Sequence, residues 1–315
     1  AFCIHISLAE EPYEFVVVAP FVVTPAFEAG LITGDVITFI DGQSTEGMEL
    51  SDAVSLIRGP EYSSVTLTIS RDGEPLDFDL TRARIEIHPV DYAVKSGPEG
   101  TVGYIRLKQF SNNAATEMKD AIEALEERNV TGYVLDLRSN PGGLLFSSID
   151  IAQMWIEEGT IVSTVDRNAI SDEEVANNQA LTDQPLVVLV DGGSASASEI
   201  LSGALQDNER AVLVGTQTFG KGVVQSVRRL TDGSGVAVTI AKYLTPSGRD
   251  INKLGIEPDH IVELTDEQRD VLTEDRDKVG TLDDPQYAKA IEVLSDTIRS
   301  QRDSANTASV TSSTN

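Results

Sequence analysis

The stretch PLVVLVDGGSASASEILSGALQDNE, residues 185–209, decides the fold class. Its opening run of apolar residues is typical of a strand that is buried on both faces. The helical pattern that follows the Gly-Gly pair indicates a helix directly after that strand. A buried strand running into a helix is the repeating unit of an α/β fold.

The neighbouring segments repeat this alternation. Strands are predicted at VGYIRLKQF (102–110), TGYVLDLRSN (131–140) and AVLVGTQ (211–217), and helices at 114–129 and 144–159. VAVTIAKYLTPSG (236–248) is predicted to end a hairpin-like pair. We therefore expect a layered α/β core over residues 85–263, followed by a helical segment at 264–303 and a tail of disordered composition at 304–315.

Residues 1–84 have a different pattern, with short strands separated by turn signals. FVVVAP (15–20), DVITFIDG (35–42) and SVTLTISRDG (64–73) are predicted strands. One helix is expected at Leu50–Ile57, capped by Ser51 or a neighbour. Residues 89–101 are expected to connect this small β unit to the core.

The composition excludes several classes of function. The 315 residues carry a formal net charge of -27, which disfavours nucleic acids and anionic membrane surfaces. Cys3 is the only cysteine, so an intrachain disulfide or a thiolate metal site is excluded. No apolar run is long enough to span a membrane. The opening residues AFCIHISLAE lack a basic region, so we expect any signal peptide to lie outside this sequence.

The stretch GTQTFGKGVVQ, residues 215–225, comes within one residue of a phosphate-binding loop. That motif requires a hydroxyl after its lysine to reach Mg²⁺, but Gly222 follows Lys221. Lys221 therefore has another role, or it is an ordinary surface charge.

The serines after the Gly-Gly pair offer a candidate nucleophile. Backbone N–H groups at the start of a helix favour developing negative charge, although a serine there can equally be a simple helix cap. His5, His88 and His260 are far apart in the sequence, and the G-x-S-x-G pattern is absent, so a Ser-His-Asp triad is unsupported. A neutral lysine is the alternative base. We expect Lys221 to be buried among Phe219, Val223 and Val224, which would favour its neutral form.

LDLRSNPGG, residues 135–143, is a third unusual stretch. A buried strand ends there in a tight turn that leaves backbone N–H groups of Gly142 and Gly143 free to face a ligand. The alternative is a plain strand-to-helix turn. Together, the turn, the serine and the lysine fit a covalent acyl-transfer site better than three unrelated features.

These stretches, together with GYIRLKQF (103–110) and YLTPSGRDI (243–251), resemble the C-terminal processing peptidases, also called tail-specific proteases. The resemblance covers about residues 12–263 and implies an α/β (α+β) protease core of the crotonase-like layered type. It implies Ser196 as nucleophile, Lys221 as base and Gln225 as a residue that positions the lysine amine. The implied oxyanion donors are the backbone N–H of Ala197 and that of Gly142 or Gly143. Arg138 and Glu199 also match family positions and are expected to have supporting roles.

TPAFEAGLITGDVITFIDG (24–42) resembles a PDZ domain, which family members carry before the core. A PDZ domain binds a peptide C-terminus as an added strand and captures its carboxylate with backbone N–H groups. The Gly-apolar-Gly-apolar pattern of the capturing loop aligns with Ala1, Phe2, Cys3 and Ile4, where both glycines are replaced. Substrate contacts are therefore expected at Phe2, Cys3 and Ile4 in an altered loop.

The resulting hypothesis is a serine endopeptidase that cleaves protein substrates near their C-terminus without a metal or nucleotide cofactor. The alternative is an inactive PDZ scaffold that only binds peptide tails. Family members are exported, so the periplasm or the thylakoid lumen is the expected location. The sequence of residues 279–294 is similar to that of cyanobacterial and plastid members of the family, some of which mature a photosystem reaction-centre precursor.

Overall fold

The computed structural model describes residues 4–8, 14–20, 24–83, 88–166, 170–229 and 235–312. Backbone contacts divide the chain into two compact units, Ala1–Ile87 and His88–Asn315. The division falls three residues after the boundary expected from the change in sequence pattern.

The first unit is an antiparallel sheet with two short helices. The strands follow the spatial order β1-β2-β3-β5-β6, with β4 paired to β3. Their bounds are β1 (Ile4–Leu8), β2 (Phe15–Pro20), β3 (Val36–Ile40), β4 (Gln43–Ser44), β5 (Ser64–Arg71) and β6 (Glu74–Thr81). The helices are α1 (Pro25–Glu28) and α2 (Leu50–Ile57).

Strand alternation builds the core of this unit. In β5, Val65, Leu67 and Ile69 are buried, while the residues between them face outward. Helix α2 has the predicted bounds, but the predicted cap was wrong. Glu49 occupies the N-cap position without a side-chain cap bond, and Ser51 lies inside the helix.

The second unit is built on a mainly parallel sheet in the order β16-β13-β12-β9-β8-β7. Strand β7 is antiparallel to β8, and the other neighbours are parallel. The bounds are β7 (Val90–Gly97), β8 (Gly100–Leu107), β9 (Gly132–Asp136), β12 (Leu186–Val190), β13 (Ala211–Gly215) and β16 (His260–Ile261). A separate antiparallel sheet has the order β11-β10-β15-β14, with bounds β10 (Thr160–Val165), β11 (Ile170–Val175), β14 (Val223–Arg229) and β15 (Gly235–Leu244).

Helices cover both faces of the parallel sheet, so the predicted layered α/β core is confirmed. Apolar residues of three helices pack on one face: α3 (Ala114–Glu126), α4 (Leu145–Gln153) and α5 (Ala197–Asp207). The other face is covered by α7 (Pro285–Ser312). Along the chain, between β16 and α7, lie α6 (Asp266–Glu274) and a short 3₁₀ turn at Arg276–Lys278.

Two segments differ from the sequence-based expectation. Residues 90–97, expected to be part of a connection, form the edge strand β7, which pairs with β8 along its length. Most side chains of β7 are not buried, so the segment lacks a strong apolar signal. Helix α7 continues to Ser312, into residues whose composition predicts disorder. Extending an established helix needs no new nucleus and therefore tolerates weak local propensity.

Candidate active site

Three loops meet at the carboxyl edge of the parallel sheet because parallel strands all end on the same side. Strand β9 leads into residues 137–143, β12 into 191–196 and β13 into 216–222. These loops contain the three stretches that the sequence singled out. Such an edge is the usual place for a ligand site in an open α/β sheet.

Ser196 occupies the N-cap position of α5 in an unusual backbone conformation, with φ 56° and ψ −111°. A positive φ is rare for a residue with a side chain, and such strain is concentrated at functional sites. The side chain of Ser196 is half-buried. The structure thus holds this serine at the start of the helix at some energetic cost.

The two flanking serines have structural hydrogen bonds. Ser194 is buried, and its Oγ donates to the Leu137 carbonyl at 2.8 Å. Ser198 is also buried, and its Oγ donates to the Asn140 carbonyl at 2.9 Å. Neither hydroxyl is accessible, so Ser196 is the serine of this stretch that a substrate can reach.

The Asn-Pro-Gly-Gly turn lies directly against Ser196. Gly142 has φ +95°, and a Cβ on it would lie 2.5 Å from the Ala195 carbonyl oxygen and 2.9 Å from both the Ala197 nitrogen and the Ser196 Cβ. Only glycine fits at this position, because both the backbone angle and the contacts exclude a side chain. The close approach brings the turn and the helix start into one site.

The two glycines differ in what their N–H groups do. The Gly142 N–H donates to Oδ1 of Asn140 at 2.9 Å, so it is already occupied. Gly143 is paired with Phe110 in an isolated parallel bridge, in which the Phe110 N–H donates to the Gly142 carbonyl and the Leu144 N–H donates to the Phe110 carbonyl. The N–H of Gly143 itself has no acceptor in the described part of the chain. The Ala197 N–H, at the first position of α5, likewise has no acceptor among the described residues.

Asn140 joins the turn to the serine stretch, a role that sequence reasoning missed. It is fully buried, and its side-chain amide donates to the Leu107 carbonyl at 2.7 Å while its Oδ1 accepts from Gly142. Its carbonyl accepts from the Ala195 N–H at 3.0 Å and from Ser198 Oγ. These bonds therefore hold both the backbone carbonyl and the side-chain amide of Asn140 in place within the site.

Glu199 links the serine and lysine loops. Its fully buried carboxylate accepts from the backbone N–H of Ser196 at 2.8 Å and of Lys221 at 2.9 Å, both through Oε2. Its Oε1 accepts from the Gly220 N–H at 2.7 Å and from Thr218 Oγ1 at 2.6 Å. Backbone N–H groups can only donate, so this carboxylate acts here as an acceptor on both oxygens.

Thr218 completes this arrangement. Its Oγ1 accepts from the Ile256 N–H at 2.7 Å, which directs its own hydrogen towards Glu199. The pattern Ser196-Ala197-Ser198-Glu199 is also a capping-box sequence, in which a glutamate at the third helical position bonds back to the N-cap backbone. That local signal points to Glu199, as the resemblance does, although not to its contact with the lysine loop.

The expected burial of Lys221 was wrong. Lys221 is exposed, and 67% of Phe219, one of its predicted apolar neighbours, is accessible to solvent. Gly220 and Gly222 lack side chains that could cover the lysine. Among the described contacts, no hydrogen bond joins Lys221 Nζ to Ser196 Oγ. The link between the two residues runs through their backbones and Glu199.

Behind the turn, Arg138 forms a buried charge cluster with two aspartates. Its Nη2 lies 2.6 Å from Oδ2 of Asp136 and 2.8 Å from Oδ2 of Asp284. Burial by itself would raise the pKa of Asp136, but the charge and hydrogen bonds of Arg138, with a further bond from Tyr104, outweigh it and hold that pKa below its ordinary value. This cluster fixes the strand end from which the turn starts.

For the remaining predicted site residues, no described contact tests the predicted role. Gln225 lies in β14, opposite Thr239 of β15. Ile4 is the first residue of β1 in the other unit, and Phe2 and Cys3 lie outside the described residues. Their predicted roles stay predictions.

No group of three or more histidine, cysteine, aspartate or glutamate side chains among the described residues is arranged to hold a metal ion. No helix within the described ranges is both long enough and apolar enough to cross a membrane.

Comparison with known families agrees with this geometry. Residues 101–262 match the model of peptidase family S41, and residues 22–71 match a PDZ domain. The chain belongs to peptidase family S41, with a mixed α/β core of that family and a small PDZ domain before it.

The similar proteins carry related names. A carboxyl-terminal-processing protease of Synechocystis is 51% identical over 82% of this chain and 62% of its own length. A chloroplastic carboxyl-terminal-processing peptidase of Arabidopsis thaliana is 44% identical over 75% of this chain and 47% of its own length. This chain therefore spans less than two thirds of these relatives. A solved photosystem II D1 C-terminal processing protease has a TM-score of 0.58 at 36% identity and covers 91% of this chain and 77% of its own.

Proposed function

We propose that this chain is a serine endopeptidase that cleaves protein substrates near their C-terminus, with Ser196 as nucleophile and Lys221 as general base. The observation that carries the proposal is the position of Ser196. It is the accessible serine of its stretch, it is strained at a helix start, and Gly142 packs against it. Family membership and the names of the relatives support the same reaction.

The reaction forms and then hydrolyses an ester. The Oγ of Ser196 attacks the substrate carbonyl carbon while its proton passes to the amine of Lys221. The lysine then gives that proton to the leaving nitrogen, the peptide C–N bond breaks, and an acyl-enzyme remains. Water, deprotonated by the same amine, attacks the ester and restores the Ser196 hydroxyl.

The negative charge on the carbonyl oxygen needs preorganised donors. We assign this role to the backbone N–H groups of Ala197 and Gly143, since neither has an acceptor in the described structure. Gly142, the other candidate, already donates to Asn140 and acts instead as the residue that permits close approach. The N-terminus of α5 adds a favourable dipole at the same place.

Lys221 must be neutral to act as a base, and water favours its charged form. Because Lys221 is exposed, we infer that the bound peptide itself covers the amine and excludes water from it. Glu199 holds the backbone of Lys221, and no described hydrogen bond or ion pair holds the lysine side chain. Gln225 is proposed to orient the amine once the peptide is in place.

Substrate selection is assigned to the PDZ domain, which would add the substrate tail as a strand and bind its free carboxylate. Phe2, Cys3 and Ile4 are the proposed contacts. The printed names of the relatives refer to carboxyl-terminal processing and, in one case, to the D1 protein of photosystem II. A reaction-centre precursor in the thylakoid lumen, or an exported protein in the periplasm, is accordingly the proposed class of substrate.

The test is cleavage of a set of unstructured peptides with free C-termini, followed by mass spectrometry of the new termini. We expect internal cuts close to the C-terminus by the unaltered chain and none by Ser196→Ala. Ser198→Ala is the matched control, because its hydroxyl has a structural bond and the folded variant should keep its activity. Peptide binding without cleavage by the unaltered chain would favour the inactive scaffold instead.

A further inference from the structure

A crevice of about 350 Å³ lies at the carboxyl edge of the parallel sheet, and four arginines line it: Arg106, Arg138, Arg269 and Arg276. The whole chain has 24 basic residues against 51 acidic ones. Four arginines and one acidic residue, Asp191, line the crevice, so its lining is more basic than the protein as a whole.

Strand alternation places the crevice on the face covered by α7. Tyr104 of β8 packs edge-on against Tyr287 of α7, with ring centroids 5.6 Å apart. Arg106 lies two residues further along β8 and so on the same face. The Ser196 hydroxyl lies at the start of α5, a helix that packs on the opposite face. The crevice is thus separate from the proposed catalytic serine.

Two of the arginines are already neutralised. Arg138 has its buried partners Asp136 and Asp284, and Arg269 pairs with the exposed Asp266 at 2.8 Å. Arg106 and Arg276 have neither an ion pair nor a side-chain hydrogen bond with any described residue. The Arg106 Nε is in addition buried without an acceptor. Buried donors without partners are rare in native proteins, so this one is unusual.

The acidic residue in the lining does not supply the missing acceptor. Asp191 accepts through Oδ1 from the backbone N–H of Ser139 at 2.8 Å and of Gly193 at 2.9 Å. Its Oδ2 accepts from the Ser139 hydroxyl at 3.2 Å. The carboxylate is therefore used by its own loop and by Ser139 of the neighbouring loop, and the guanidinium groups of Arg106 and Arg276 stay available.

We propose that this crevice binds a small oxyanion, a carboxylate or a phosphate group, between Arg106 and Arg276. Guanidinium groups offer paired N–H donors in the geometry that both anions match. The hydroxyl of Thr216, which also lines the crevice, is a further donor. The two sources of such a group are a peptide C-terminus and free phosphate.

The occupant would contact the loop that carries the oxyanion donor. Ser139 lines the crevice, and the same loop continues through Asn140 to Gly143. A bound anion is therefore expected to stabilise the loop and to raise the melting temperature of the protein. Anion binding at this site is separate from the proposed peptidase activity and does not require that activity.

The experiment is isothermal titration calorimetry of the full chain with inorganic phosphate at constant ionic strength. Arg276→Gln is the main variant, because Arg276 is exposed in a short turn and its loss should leave the fold intact. We expect saturable binding by the unaltered chain and binding at least about tenfold weaker in the variant, as for the loss of a charged hydrogen-bond partner. Arg128→Gln, an exposed arginine at the end of α3, is the matched control and should bind as the unaltered chain does.

A second titration identifies the source of the anion. An acetylated dialanine with a free carboxylate is compared with its C-terminal amide, in the unaltered chain and in Arg276→Gln. If the unaltered chain binds the carboxylate form and Arg276→Gln binds it more weakly, the crevice is assigned to peptide C-termini. If only phosphate binds, the crevice is assigned to free phosphate. The proposal is overturned if neither anion binds saturably, or if Arg276→Gln and Arg106→Gln both bind as tightly as the unaltered chain.

Discussion

The backbone N–H groups of Ser196 and Lys221 donate to the same carboxylate oxygen, Oε2 of Glu199, at 2.8 Å and 2.9 Å. The two residues lie in loops that follow different strands, β12 and β13, so nothing in the local sequence fixes their distance. The buried carboxylate does so. We infer that Glu199 is a positioning residue, which sets the place of nucleophile and base without touching the substrate.

Replacing Glu199 by glutamine should therefore harm activity and stability together. The amide keeps the shape of the side chain, but its NH₂ end faces N–H donors that it cannot accept from. We expect kcat to fall by at least about tenfold and the free energy of unfolding to fall by about 1–3 kcal/mol. Peptide hydrolysis and urea unfolding measure the two effects. Glu257→Gln, at an exposed glutamate, is the control and should change neither.

Gly142→Ala should inactivate the protein through a backbone clash. The added methyl would meet the Ala195 carbonyl and the Ala197 nitrogen, neither of which can move without displacing α5. Gly248→Ala separates this effect from the cost of a positive φ, because Gly248 has φ +83° with no atom within 4 Å of the added Cβ. We expect Gly248→Ala to lose about 1–2 kcal/mol of stability and no activity. Equal losses of activity in the two variants would contradict the packing argument.

The cluster around Arg138 predicts an acid-sensitive contribution to stability. The pKa of Asp136 is held below its ordinary value in the folded state, so its contribution is present above the unfolded pKa, near 4, and is lost as the pH falls through the folded pKa. Asp136→Asn should cost about 3–5 kcal/mol at neutral pH, since it leaves Arg138 with one fewer buried partner.

Urea unfolding at about pH 7 and about pH 3 checks this, because the variant lacks the titrating carboxylate and should show a smaller loss between these pH values. Asp266→Asn, in an exposed pair, should behave like the unaltered chain at both. A pH dependence that is the same in Asp136→Asn and in the unaltered chain would rule out Asp136 as its source.

Much of the fold follows from local patterns, because buried strands and amphipathic helices have strong periodic signals. Strand β7 was missed because most of its side chains are exposed at a sheet edge, where the backbone pairing with β8 carries the structure. The loops of the site were identified by their glycines and serines. The residues that link them are Glu199, Asn140 and Thr218. The resemblance and the capping-box pattern point to Glu199, but its contact with the lysine loop and the roles of Asn140 and Thr218 depend on contacts between distant segments.

The error at Lys221 has a similar origin. Apolar neighbours in sequence suggested burial, but Phe219 is turned to solvent and the flanking glycines leave the lysine uncovered. A loop residue takes its environment from the segments that pack against it rather than from its immediate neighbours. The choice between the two oxyanion glycines likewise required the Asn140 contact, which sequence alone does not show.

The most direct measurement of the proposed chemistry is the hydrolysis rate of Lys221→Arg with the peptide that the unaltered chain cleaves best. Arginine keeps the positive charge and can fill the same space, but its guanidinium stays protonated and cannot take the proton of Ser196. If Lys221 is the general base, kcat should fall by a factor of about 100 or more, with the fold unchanged by circular dichroism. Turnover near the rate of the unaltered chain would show that Lys221 supplies only a positive charge.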